Sequence, residues 1–291
     1  MMNYKILLIV FVILPFGMIG QELDVYVSAH PDDWQLFMNP NAHKSLQSGG
    51  KVIFLHTTAG DAGQGLGFNS YFKAREEGSL RAIRFLVNIL KQKGQDAFEL
   101  QEVTHQINGH YLNRMTFGTA VIYFLRLPDG NYQGPGYEIH ANKSLEKFYK
   151  NEVRNLHAID SSTIYKNGDD FLRTLESLIE MEQKMKGPLR LHIAETDSIR
   201  NPEDHSDHRY SSHFMQKLSK RFKNVELYLY EEYASSKKPL NIFNDDFLIS
   251  AGTWGATASG LSDMNHNSTW DEGHNVWIGR QYFRVIRPLD D

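Results

Sequence analysis

Two short stretches carry an unusual density of imidazole and carboxylate. Ala29-His30-Pro31-Asp32-Asp33 places one imidazole and two carboxylates side by side. Adjacent carboxylates in a tight turn repel one another unless a cation sits beside them. A divalent metal would be satisfied by His30 and one aspartate, leaving the other as a base. Much further along, Asp204-His205-Ser206-Asp207-His208 sets two imidazoles around an aspartate. That cluster suits one metal ligand plus one oriented acid or base, because working histidines usually have a partner that fixes the tautomer. Each cluster alone also reads as a surface turn or helix cap, where Asp is favoured. Together they offer a three-ligand nitrogen and oxygen set with room for water, the usual arrangement of catalytic zinc.

The elements that must position these clusters follow from hydrophobic pattern. Leu23 to Ser28 and Lys51 to Thr57 read as strands, with a brief helix at Asn41 to Gln47 between them. Tyr71 to Lys93 carries Leu80, Ile83, Val87 and Leu90 at helical spacing. Further strands are predicted at Ala97 to Val103, Thr119 to Leu125, Pro188 to Ala194 and Val225 to Tyr230. Helices are predicted at Asp169 to Lys186, capped by Asn167 or Asp169, and at Asp207 to Phe222. The alternation implies an α/β layered fold with a largely parallel sheet, whose functional groups gather at the carboxyl ends of strands. The first cluster directly follows the first strand, and the second opens a helix.

Composition narrows the function. The chain has 291 residues, 41% of them hydrophobic, with 31 Lys and Arg against 35 Asp and Glu, a formal net charge of −4. This slightly acidic balance, without a basic run, argues against nucleic acid as a partner. There is no cysteine, so any metal must be held by nitrogen and oxygen and no disulfide scaffold exists. Residues 1–20 read as a secretory signal peptide: Lys5 supplies a positive start, Ile6 to Phe16 an apolar run, and Gly17 to Gly20 small-residue cleavage options. The run is interrupted by Pro15 and is short of the roughly 20 residues a membrane span needs. The expectation is a secreted or periplasmic protein with no stable membrane span after cleavage and one domain over residues 21–291.

With AHPDD after the first strand, Arg75-Glu76-Glu77 on the following helix, Leu127-Pro128-Asp129-Gly130, and DHSDH at Asp204 to His208, the chain resembles the PIG-L/LmbE-like zinc-dependent N-acetylglucosaminyl deacetylases. The resemblance implies a Rossmann-like three-layer α/β fold with the metal at the strand ends. It implies His30, Asp33 and His208 as ligands to zinc, or to another divalent metal such as Fe2+, and Asp32 as general base. It further implies that His205, oriented by Asp207, stabilises the tetrahedral intermediate and helps protonate the leaving amine, and that Arg75 contacts substrate. The chemistry is consistent: an acetamide is a poor electrophile, and zinc both activates water and polarises the carbonyl. A protonated His205, favoured by Asp207, would then face the oxyanion. The substrate implied is a small molecule or glycan carrying an N-acetyl amino sugar.

Three positions depart from the family pattern. Trp34 stands where many members have an acid, and reads as a core residue or part of the pocket mouth. Glu203 stands where some have a tyrosine that touches the oxyanion. The C-terminal region with Trp254, Trp270 and Trp277 is where members diverge; Trp270 and Trp277 read as core residues or as sugar-stacking platforms. Gly60 to Gly67 lacks the G-x-G-x-x-G spacing, because Phe68 takes the last position, and reads as a mobile loop beside the site or as an ordinary surface loop. Arg75 also reads as half of an exposed helical ion pair with a nearby Glu. Two other functions fit parts of the pattern. His30-Pro31-Asp32 with a distant histidine matches the facial triad of a non-haem Fe(II) oxygenase, usually built on a double-stranded β-helix. A secreted carbohydrate-binding protein with a degenerate metal site is the other.

Overall fold

The computed structural model describes residues 22–183 and 187–287, so the expected signal peptide lies outside the described residues. Along the chain come β1 (Leu23–Ser28), α1 (Asn41–Gln47), β2 (Lys51–Thr58) and α2 (Tyr71–Ile89). A hairpin of β3 (Gln101–Ile107) and β4 (His110–Phe117) then leads into β5 (Ala120–Leu127). After α3 (Leu145–Tyr149) and the two-residue strands β6 (Leu156–His157) and β7 (Ile164–Tyr165) come α4 (Gly168–Glu182), β8 (Leu189–Ala194), α5 (Ser206–Ser219) and β9 (Val225–Tyr230). The chain closes with α6 (Asn244–Asp263), α7 (Glu272–Asn275) and β10 (Phe283–Ile286).

Eight strands form one sheet in the order β10-β9-β8-β1-β2-β5-β4-β3. The five central strands are parallel, and the antiparallel strands lie outside them. Side-chain parity makes the sheet the middle of three layers. Val25 and Val27 of β1, Ile53 and Leu55 of β2, and Leu191 and Ile193 of β8 face α4 and α5, where Phe171, Leu175 and Phe214 meet them. Their neighbours Tyr26, Val52 and Phe54 face the other way, toward Ala82, Ile83 and Leu86 of α2 and Trp254 of α6. The largely parallel α/β fold expected from the alternation is therefore formed, and the β-helix usual for a facial-triad oxygenase is not.

From β1 the chain moves to β2 on one side, whereas β8 and β9 occupy the other side. The crevice beyond the carboxyl ends of β1 and β8 is thus the topological switch point, where open α/β sheets bind ligands.

Several bounds differ from expectation. The strand expected at Ala97 to Val103 lies instead at Gln101–Ile107, because pairing with β4 sets its register. β4 itself was not expected, although Asn108-Gly109 signals a two-residue turn; both residues take positive φ, 47° and 83°. The helix beginning at Tyr71 stops at Ile89. Asn167, not Asp169, caps α4 by accepting from the Asp170 N–H; residues 184–186 of the expected helix lie outside the described residues. Helix α6 went unrecognised because its buried face is built largely from small or polar residues, Ser250, Thr253, Thr257, Ala258 and Gly260.

Candidate metal centre and active site

His30 and Asp33 leave the end of β1 in a turn that folds back on itself: the Asp33 Oδ2 accepts the His30 backbone N–H at 2.6 Å. This leaves Asp33 Oδ1 to face inward, 3.4 Å from His30 Nδ1. From the first turn of α5, His208 brings Nε2 to 3.3 Å from the same carboxylate oxygen and 3.2 Å from His30 Nδ1. Three donor atoms from two ends of the chain therefore form a nearly equilateral triangle. Ligands on a tetrahedral zinc at its usual bond lengths lie about 3.3 Å apart, so the triangle has the dimensions of one face of that polyhedron.

The remaining imidazole nitrogens meet carboxylates. His30 Nε2 lies 3.4 Å from Asp207 Oδ2. His208 Nδ1 lies 2.8 Å from Asp204 Oδ1 and 2.5 Å from Glu232 Oε2. Such outer carboxylates fix the tautomer that aims a lone pair at a metal. The electrostatics also favour a cation. Burial opposes a charge on His30, but Asp33 and Asp207 outweigh it and carry its pKa to about 10. Burial likewise opposes a charge on His208, and Asp33, Glu232 and Asp204 hold its pKa well above the ordinary value. Burial works against ionised Asp33 too, yet His208 and His30 draw its pKa well below the usual carboxylate range. Charge, donor types and spacing all fit a divalent metal.

Asp32 points elsewhere. Its Oδ1 is held by the Arg75 guanidinium, which also donates to the Gly60 carbonyl at 2.6 Å. The Arg75 contact uses Oδ1 and leaves Asp32 Oδ2 aside. Arg75 is partly buried rather than exposed, and its partner is Asp32 rather than a helical Glu, so the exposed ion pair is not formed. The segment Gly60 to Gly67 lies against the site through that carbonyl and is tied down by Asp61, whose Oδ2 meets His140 Nε2 at 2.7 Å and accepts the Gly65 N–H at 2.8 Å.

His205 caps α5: its Nδ1 accepts the Asp207 backbone N–H at 3.1 Å. A ring nitrogen that accepts carries no proton, so Nε2 holds the proton of a neutral imidazole. Burial and the neighbouring His30 and His208 charges push the His205 pKa down. The expected imidazolium is disfavoured for the same reason, and Asp207 stands 3.9 Å from His205 Nδ1. Asp207 instead accepts the Gly130 N–H at 2.8 Å and faces His30. A Cβ at position 130 would overlap Asp207 Oδ1, which explains the glycine of Leu127-Pro128-Asp129-Gly130. His205 shares the space of the triangle, since its ligand atom lies within 4.8 Å of those of His30 and His208.

Sequence reading missed Glu232, which arrives just after β9 with no local motif, and the outer role of Asp204, although that residue stood inside the quoted cluster. It also missed two rings at the site. Tyr132 lies edge-on to His205 at 6.0 Å, its hydroxyl donating to the Glu203 carbonyl at 2.5 Å. Tyr233 lies edge-on to His208 at 5.1 Å and stacks on Trp277 at 5.3 Å. Trp34 is fully buried and donates to Ser79 Oγ at 3.1 Å. Trp254 is buried, whereas Trp270 is 49% exposed and does not join the core.

Solved structures similar to this chain include an N,N'-diacetylchitobiose deacetylase from Pyrococcus horikoshii in complex with an inhibitor, at 15% identity and a TM-score of 0.46 over 92% of this chain and 84% of that one. A deacetylase of the teicoplanin biosynthesis pathway matches at 13% identity and a TM-score of 0.49 over 93% and 100% of the two chains. A 4-carboxy-2-hydroxymuconate hydratase from Pseudomonas putida matches at 12% identity and a TM-score of 0.40 over 88% and 82%. No curated protein sequence matches significantly. Residues 25–218, which include the whole donor triangle, match the family described as PIG-L, GlcNAc-PI de-N-acetylase, and the chain belongs to that family.

Proposed function

We propose that this protein is an exported, metal-dependent hydrolase that removes the N-acetyl group from an amino sugar or an N-acetylglucosaminyl conjugate, with zinc or another divalent ion such as Fe2+ as cofactor. The observation that carries the reading is the triangle of His30 Nδ1, Asp33 Oδ1 and His208 Nε2, with edges of 3.2 to 3.4 Å, beside the separate carboxylate of Asp32. The family's description supports the amino-sugar substrate. Among the described residues no helix is long and apolar enough to cross a membrane.

His30, Asp33 and His208 would hold the ion. When bound, it supplies Lewis acidity, which lowers the pKa of water to about 7 and polarises a carbonyl. Arg75 fixes Asp32 through Oδ1, so Oδ2 is the atom that takes the proton of the attacking water. His205 donates its Nε2 proton as a hydrogen bond to the acyl oxygen while negative charge develops there, a task a neutral imidazole performs without being charged first. Asp32 then hands its proton to the departing nitrogen, which leaves as the free amine, and acetate is the second product. Asp207 and Gly130 hold the His30 ring in place.

Acetate release from a panel of N-acetylated amino sugars and conjugates, with and without chelator, tests the proposal. Chelator-sensitive release is expected, and Asp32→Asn should keep its metal while losing about 100-fold or more of kcat. A metal-loaded protein that releases no acetate from any member would sink the reading, and full activity in Asp32→Asn would sink the base.

A further inference from the structure

We propose that Glu232 is a positioning residue that sets the affinity of the metal centre by acting through His208. It rests on His208 being a metal ligand and goes beyond the family assignment, because Glu232 lies after the matched residues 25–218.

His208 Nδ1 carries at most one proton, yet two carboxylates close on it: Asp204 Oδ1 at 2.8 Å, with hydrogen-bond geometry, and Glu232 Oε2 at 2.5 Å. Both residues are almost fully buried, at 3% and 1% exposure. Asp204 Oδ2 and Glu232 Oε2 have no hydrogen-bond partner among the described residues. One outer carboxylate suffices to orient a histidine ligand, so the second needs another explanation. A buried carboxylate without a full complement of donors is costly unless positive charge compensates it. When the ring serves as a neutral ligand, the compensating charge is a cation on its opposite nitrogen, and Glu232 makes that ring a more strongly electron-donating ligand.

These carboxylates and His208 would also offer ligands to a second ion. The spacing argues against it. Donors sharing a tetrahedral ion stand about 3.3 Å apart, whereas Glu232 Oε2 and Asp204 Oδ1 stand only 2.5 and 2.8 Å from Nδ1, too close to share an ion with it. Glu232 is also set rigidly: its N–H donates to Asn201 Oδ1 at 3.1 Å, and Ser235 Oγ donates to its carbonyl at 2.7 Å.

The test is the zinc dissociation constant and stoichiometry of the full chain, measured by competition with a chromophoric chelator for wild type, Glu232→Gln and Glu232→Asp. Glutamine keeps volume and an acceptor oxygen while removing the charge, so a role in packing alone leaves affinity unchanged. One ion per chain is expected, bound about 10 to 100-fold more weakly by Glu232→Gln, with Glu232→Asp between the two. Affinity within about twofold of wild type in both variants would overturn the inference, as would a second ion lost on substitution. A wild-type chain that binds no zinc would instead overturn the metal centre itself.

Discussion

The pair formed by Arg75 and Asp32 distinguishes two roles for Arg75, contact with substrate and control of the base. Both side chains are nearly buried, at 11% and 8% exposure, so solvent screens their attraction little. Arg75→Met removes the guanidinium while keeping most of the aliphatic stem. It leaves Asp32 as a buried charge without its partner and frees the Gly60 carbonyl; breaking a buried pair in this way costs about 3–5 kcal/mol. Asp32→Asn leaves Arg75 an amide oxygen in place of a carboxylate and should cost about 1.5–3 kcal/mol, the value of a charged hydrogen bond. The double variant no longer suffers either orphaned charge, so the cycle closes with a coupling of about 2 kcal/mol. Urea unfolding of metal-loaded protein at pH 7 measures all four corners, and acetate release gives the matching kinetics. A residue that holds the base lowers kcat when lost and leaves KM nearly unchanged, whereas a substrate contact raises KM. Additive stabilities within about 0.5 kcal/mol, or a rise in KM with kcat preserved, would refute the assignment of Arg75 to Asp32.

Three further outcomes follow from the geometry of the site. Metal-free protein keeps His30 protonated up to about pH 10, so at pH 7 zinc binding should release at least one proton, detectable by calorimetry in buffers of different ionisation enthalpy; release of none would contradict the ligand set. The raised pKa also fixes the sign of a stability effect: the contribution of His30 to the metal-free fold is complete below its unfolded value near 6.5 and is lost as pH rises toward about 10, so melting temperature without metal should fall across that window. Gly130→Ala should lose about 1–3 kcal/mol in denaturant unfolding, because the added methyl overlaps Asp207; an unchanged midpoint would show that Asp207 is not held where the structure puts it.

What could be read from the sequence divides along physical lines. β1, α1 and β9 have the bounds their patterns suggested because each is a short run whose burial is decided by its own residues. The donors in His30, Asp33 and His208 were legible because each lies in a dense local cluster at the end of an element. Glu232 was not, since its meaning exists only once β9 is laid beside β8 and its following turn closes over His208. The capping of α5 by His205 Nδ1 was not legible for a related reason: a backbone donor leaves no mark in the residue pattern. The β3–β4 hairpin is different, because Asn108-Gly109 announced it and the exposed, polar strand β3 before the turn obscured the signal.

The position of the centre at the switch point has a consequence for how the chain reaches its native state. His30 and His208 are separated by 178 residues, and the sheet that unites them places β1 between β2 and β8, a neighbour much later in the chain. Contacts of such long sequence separation form late and slowly. An ion therefore has no complete cradle to nucleate around during early collapse. Bound afterwards, an ion would latch β1 to α5 across the seam between β1 and β8, and would slow the opening of the finished sheet more than it speeds its assembly.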